Sequence, residues 1–283
     1  MSVARCRKYN RGKGLHPVHF ISGLPRSGST LLAGLLRQNP RFHAGISGPV
    51  GGMFNTLLGE MSGRNEFSVF INDTQRQRVL RGLFENYYAD TPADVVFDTN
   101  RMWCSKLPVL KELFPQAKVI ACVRHVPWII DSVEQLVRRN AFQPSSIFNY
   151  QTGGTVYSRS EGLANGDGLV GYAYNALKEA FYGENTESLM LVQYETLVTN
   201  PVAALKAIYD FIGEPLFAHN VNKVEFDADE FDLRAGTPGL HTVRKKVEAR
   251  ERISVLPPDL FRRFENDAFW RDPQLNLRGV RIV

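Results

Sequence analysis

The sequence predicts a single α/β domain with a central, mainly parallel sheet flanked by helices, and three observations predict it. Short apolar runs alternate along the chain with segments of helical period. A glycine-rich turn stands between the first apolar run and the first helical pattern. No internal repeat or linker divides the 283 residues, a length that buries one large core at an ordinary 43% hydrophobic and 22% charged composition.

The elements follow in order. Residues 1–17 are expected to be a basic, flexible terminus carrying Arg5, Arg7, Lys8, Arg11 and Lys13; with no apolar stretch behind them, they lack the hydrophobic part of a secretory signal. The domain proper is expected over 18–283. His19–Ser22 reads as the first buried strand, and Leu31, Leu32, Leu35 and Leu36 mark the helix that follows. Gly45–Gly52, rich in glycine and containing Pro49, reads as a loop. Val79, Leu80, Leu83, Phe84, Tyr87 and Tyr88 recur at helical spacing and are expected on one packed helix face. Val95–Asp98, Lys118–Val123 and Leu189–Gln193 read as further buried strands. The stretch 143–171 is rich in Gly, Ser and Thr and long enough to be a lid. Asn200 followed by Pro201 has the form of a helix start, and Gly213 closes the run Val202–Ile212 as a C-terminal cap does.

Composition narrows the function classes. The net charge of +5 points to anionic ligands. The basic residues are scattered without regular aromatic interleaving, so no nucleic-acid partner is expected. Cys6, Cys104 and Cys122 form no CxxC pair, which leaves reduced thiols, no metal site and a cytoplasmic location as expectations. The longest apolar runs, such as Val119–Val123 and Trp128–Ile130, fall far short of the roughly 20 residues of a membrane span.

The most informative segment is Gly23-Leu24-Pro25-Arg26-Ser27-Gly28-Ser29-Thr30. Between a strand and a helix, its glycines let backbone N–H groups turn inward, and the helix start adds positive potential, which together make a cradle for a phosphate-like anion. The spacing is that of a nucleoside-triphosphatase loop, except that Ser29 replaces the lysine that reaches the β- and γ-phosphates. Arg26 supplies a cation able to make a planar, paired contact to an anionic group. The loop alone leaves open a phosphoryl-transfer protein, for which the apolar run ending at Asp98 would imitate a magnesium-binding strand end; the absent lysine counts against it.

"GLPRSGSTLL" resembles the 5′-phosphosulfate-binding loop of the sulfotransferase family, including its tyrosylprotein branch, and so implies a P-loop-like fold. "KVIACVRHVPWIIDSVEQLVRRN" resembles the second signature of that family, in which an arginine at a strand end and a serine eight residues later hold the donor's 3′-phosphate; Arg124 and Ser132 fit it. "QYETLVTNPVAALKAIYDFIGEP" resembles the strand, tyrosine and helix ending many such cores, with Tyr194 a candidate adenosine contact. "LRAGTPGLHTVRKKV" is similar to the late basic loop that closes over the donor, making Arg244, Lys245 and Lys246 candidates.

The resemblance implies transfer of a sulfuryl group from 3′-phosphoadenosine 5′-phosphosulfate (PAPS) to an acceptor hydroxyl, a peptide tyrosine being the leading hypothesis, with release of adenosine 3′,5′-diphosphate (PAP) and no metal. Pro25, Arg26, Ser27, Gly28, Ser29, Thr30, Arg124, Ser132 and Tyr194 would bind the donor, and Arg26 and Arg101 would carry catalysis. Arg101 stands where the family commonly has a lysine; it stabilises charge but cannot give up a proton, and Lys106 is the fallback. The glutamate that serves the tyrosylprotein branch as base has no counterpart in "AGISGPVGGM"; His43, Glu60 and Asp98 are the candidates that remain, and a non-catalytic relative stays open with them.

Overall fold

The computed structural model describes residues 16–63, 65–142, 154–249 and 251–283. Its strands are β1 (Val18–Gly23), β2 (Phe42–Ala44), β3 (Val95–Thr99), β4 (Val119–Val123), β5 (Leu189–Gln193) and β6 (Arg281–Ile282). The helices are α1 (Ser29–Leu36), α2 (Val50–Glu60), α3 (Asp73–Tyr87), α4 (Leu107–Leu113), α5 (Val126–Arg139), α6 (Val156–Ala164), α7 (Leu169–Tyr182), α8 (Tyr194–Thr199), α9 (Pro201–Ile212), α10 (Asp229–Arg234) and α11 (Pro258–Arg263).

The strands form one six-stranded sheet in the order β2-β3-β1-β4-β5-β6, and every pairing is parallel. Helices cover both faces, which is why the central strands read as mainly apolar runs. Alternate residues divide between two cores. Phe20, Val96, Val119, Ala121 and Leu191 join one with α2, α3, α4, α5 and α7, while Ile21, Val95, Phe97, Ile120 and Val192 join the other with α1 and α9. The expected strands are all present. β2 and β6 carry too few residues to make a periodic signal and stand at the two edges.

Helix α9 is built as expected: the Asn200 side chain accepts from Ala203 N at 3.2 Å, Pro201 fills the first turn, and Gly213 closes the helix at φ 75°. In α3 the packed face is narrower than its spacing implied. Leu80, Phe84 and Tyr88 are buried, but Val79 and Tyr87 are exposed because their neighbours cover only one flank.

Two expected loops are corrected. Val50–Gly52 opens α2, and Gly51 serves close packing: a Cβ there would stand 2.4 Å from Asn100 Nδ2. Within 143–171, residues 154–171 hold α6 and the start of α7 in place of an irregular loop, and 143–153 lie outside the described residues. A Cβ at Gly171 would meet Asn165 O at 1.8 Å, so that glycine lets the two helices cross rather than letting the chain bend. The basic terminus at 1–15 also lies outside the described residues. No helix among the described residues is long and apolar enough to cross a membrane.

Candidate functional site

Four neighbouring strands deliver residues to one place. The chain leaves β3 into Asn100 and Arg101, β1 into the loop at 24–28, β4 into Arg124 and β5 into Tyr194, so the carboxyl ends of β3, β1, β4 and β5 share a cleft of about 870 Å³. This is where an open parallel sheet binds ligands, because connections leave a central strand in opposite directions.

The loop after β1 is held tightly. Gly23 has φ 96° and Leu24 N donates to Cys122 O at 2.8 Å, turning the chain away from the sheet. Arg26 also has a positive φ, 57°, in a region sterically costly for a side chain, and Gly28 at φ 93° starts α1. No side chain caps α1, which leaves its first N–H groups directed to the cleft mouth. Pro25, Arg26, Gly28, Ser29 and Thr30 line the cleft. Ser27 lies buried beneath, its hydroxyl donating to Pro25 O at 3.3 Å, so only its backbone is available to an anion.

Arginines converge above this loop. Arg26 Nε donates to Ser132 Oγ at 3.1 Å and its Nη1 to the Leu240 carbonyl, which joins the first loop, α5 and the late loop. Arg124 Nη1 donates to Arg26 O at 3.2 Å, and its guanidinium lies 4.2 Å from the centre of the Tyr194 ring. Its buried Nε has no hydrogen-bond partner, so the protein leaves part of its donor capacity unspent. Burial first, then Arg124 and Arg139, pull the Arg26 guanidinium down to about 10. Burial likewise lowers Arg124 and Arg101. A cluster of cations that disfavour one another's charge is a site suited to multiple negative charge.

Arg101 reaches the cleft because Ser22 anchors its turn: Ser22 Oγ donates to Arg101 O at 3.0 Å and accepts from Cys104 N at 3.2 Å. Arg101, Arg244 and Lys246 line the cleft; Lys106 and Lys245 do not.

None of the three base candidates drawn from the sequence lines it, a correction in which each has its own physical reason. Asp98 is buried in the core, where Tyr88 Oη donates at 2.5 Å and Trp103 Nε1 at 2.7 Å, and burial raises its pKa. Both oxygens thereby accept a hydrogen bond in the core, away from the cleft, which counts against a magnesium-binding role for that strand end. Glu60 accepts from Asn65 Nδ2 at 3.0 Å at the far end of α2. His43 faces an adjoining cavity of about 810 Å³ with Phe226 and Phe231, which shares Ile46 and Ser47 with the cleft.

The cleft holds a group that sequence reasoning missed. His241 lines it, and its Nδ1 lies 2.6 Å from Oδ1 of Asp232, a carboxylate only 1% exposed. Nothing in "DLRAGTPGLH" signals the pair, since a turn of irregular backbone brings the two together. Among the described residues no cluster of side chains is arranged to hold a metal ion.

The sequence from residue 17 to 218 matches the model of the sulfotransferase family. Curated proteins give no match. Among solved structures, the sulfotransferase domain from the curacin biosynthetic pathway is 18% identical with a TM-score of 0.50, over 89% of this chain and 97% of that one. The sulfotransferase domain of the Synechococcus PCC 7002 olefin synthase is also 18% identical, with a TM-score of 0.49, over 90% of this chain and 95% of that one. A mouse sulfotransferase complexed with PAP is 17% identical, with a TM-score of 0.45, over 72% of this chain and 60% of that one. A family match across most of the sequence, on a parallel sheet whose strand ends gather around an arginine-lined anion loop, makes this chain a member of the sulfotransferase family.

Proposed function

We propose that the protein transfers the sulfuryl group of PAPS to an acceptor hydroxyl and releases PAP. The observation that carries this is the gathering of Arg26, Arg101 and Arg124 about the uncapped start of α1, in a cleft large enough for a nucleotide. The loop backbone and Arg26 hold the 5′-phosphosulfate, Arg124 and Ser132 hold the 3′-phosphate, and Tyr194 backs the adenosine. As the acceptor oxygen bonds to sulfur, the bond from sulfur to the 5′-phosphate oxygen breaks and its electron pair stays with the phosphate. Arg26 and Arg101 stabilise the charge that develops there. The buried free thiols of Cys104 and Cys122 fit a reducing compartment such as the cytoplasm.

The acceptor we propose is a peptide tyrosine, because Arg244 and Lys246 on the cleft wall favour acidic flanking residues. The test offers PAPS labelled with radioactive sulfur to tyrosine peptides with acidic flanks, to simple phenols and to oligosaccharides. Label in the peptides is expected; label in sugars or simple phenols alone overturns the acceptor. PAP without magnesium is expected to raise the melting temperature, by roughly 2.7 kcal/mol of added stability at a hundredfold excess over its dissociation constant, and ATP with magnesium much less. Equal, magnesium-dependent stabilisation by ATP would favour phosphoryl transfer.

Arg124→Ala separates the two phosphate contacts. It is expected to weaken PAP by about 1.5 to 3 kcal/mol, the worth of a charged hydrogen bond, and to change adenosine 5′-monophosphate far less. Calorimetric titration of both nucleotides checks this, and equal losses would remove Arg124 from the 3′-phosphate.

A further inference from the structure

We propose that His241 is the base that takes the acceptor's proton and that Asp232 positions it, an inference that rests on the sulfuryl-transfer reading. Asp232 grips the residue twice: Oδ2 accepts from the His241 backbone N at 2.7 Å, and Oδ1 stands 2.6 Å from Nδ1. A carboxylate oxygen accepts, so Nδ1 carries the hydrogen and the Nε2 lone pair is free to accept another. The edge of the Phe231 ring, with centroids 5.4 Å apart, closes one side of the imidazole. Rotation is therefore resisted by two contacts of different kinds.

The position suits the chemistry. The carbonyl of Leu240, the preceding residue, accepts from Arg26 Nη1, so His241 hangs from a backbone already docked on the anion loop. Of the cleft's acids, Glu195 pairs with Arg271 through Oε1 at 3.0 Å and Glu248 with Lys246 at 3.6 Å, while Glu251 is exposed. Asp232, from α10, bears directly on the imidazole, and the same cleft wall carries the cations Arg26, Arg139, Arg244 and Lys246 and the acids Glu248 and Glu251. The cations draw the anionic donor to the ring's side of the cleft, and the carboxylate steadies the imidazolium that forms. As the acceptor oxygen bonds to sulfur, its proton passes to Nε2, while the electron pair of the breaking bond remains on the 5′-phosphate of PAP.

The tests separate base, fold and reaction. His241→Asn keeps a donor for Asp232 but cannot take a proton. It is expected to lower PAP release from PAPS, with water or a labelled hydroxyl compound as acceptor, by about 10²- to 10⁴-fold. The melting-temperature rise with PAP should persist, which shows an intact donor site. His241→Ala should regain part of its rate when imidazole is added to the buffer, a rescue that a structural histidine would not give. Nitrogen-15 spectra of the ligand-free protein should show Nδ1 protonated and Nε2 bare, with that preference lost in Asp232→Asn. If the wild type releases PAP and His241→Asn does so within about twofold, or if Nε2 carries the proton, the assignment falls alone. If the wild type binds PAP but never releases it from PAPS, the sulfuryl-transfer reading falls and takes this inference with it.

Discussion

Arg26→Met is expected to stabilise the ligand-free protein while removing most of its affinity for PAP. Burial and the nearby cations Arg124 and Arg139 hold the Arg26 guanidinium at about 10, well below an arginine's usual value. A base whose folded pKa lies under its unfolded one opposes folding while it is charged. The sign follows from proton binding: between pH 10 and the ordinary arginine range the unfolded chain holds more protons, so stability rises with pH through that window. At neutral pH the penalty is present in full, roughly 3 kcal/mol by that shift. Methionine fills much of the same volume without charge, and a gain of a few degrees in melting temperature is expected. The same change deletes charged hydrogen bonds to the donor at about 1.5 to 3 kcal/mol each, so two lost contacts weaken PAP by a hundredfold or more. Thermal denaturation with and without PAP reads both effects; a lower melting temperature for the ligand-free variant would mean that the arginine stabilises its surroundings.

Gly23→Ala is expected to cost more stability than any other substitution named above. A Cβ there would stand 2.2 Å from Cys122 O and 2.6 Å from Cys122 N, both backbone atoms of β4, at a residue whose φ of 96° already disfavours a side chain. Relief requires β1 to part from β4, breaking the Leu24 N to Cys122 O bond that turns the loop. A loss above about 4 kcal/mol places it in the exceptional tail of single substitutions. Gly213→Ala is the comparison. Its φ of 75° carries the same backbone penalty, but nothing lies within 4 Å, so about 1 kcal/mol is expected. Denaturant unfolding of the two variants checks the difference, and similar losses would show that the approach of β4 is not what holds Gly23.

The parts of this molecule legible from sequence are those whose physics is local. Buried on both sides, β1, β3, β4 and β5 are dominated by apolar residues, and Asn200, Pro201 and Gly213 announce α9 by their own backbone preferences. The anion loop is legible because it needs glycine, an arginine and a following helix within a few residues. Gly51 and Gly171 misled because a glycine chosen for close packing has the same letter as one chosen for a turn. His241 and Asp232 stayed hidden because no repeat of backbone geometry relates them; only the folded late loop brings the ring to the carboxylate. His43, Glu60 and Asp98 fit by type but do not line the cleft, a matter of direction that sequence does not encode locally.

The strand order bears on how the chain is born. β1 leaves the ribosome before the other strands of the sheet, but its partners come much later: Val18 waits for Val96, and Phe20 for Val119. The anion loop hangs from that early strand, and Gly23 has no place to rest until Cys122 has been made. Tyr194, which lies against Arg124, arrives later still. A nascent chain ending short of Tyr194 therefore carries the loop residues but lacks the cradle they form, and the apolar β1 stays unpaired through much of synthesis. Pairing so distant in sequence is slow, and an unpaired strand is open to wrong partners in the meantime. Folding aids that hold early apolar strands are thus expected to govern yield more strongly than any property of the finished cleft.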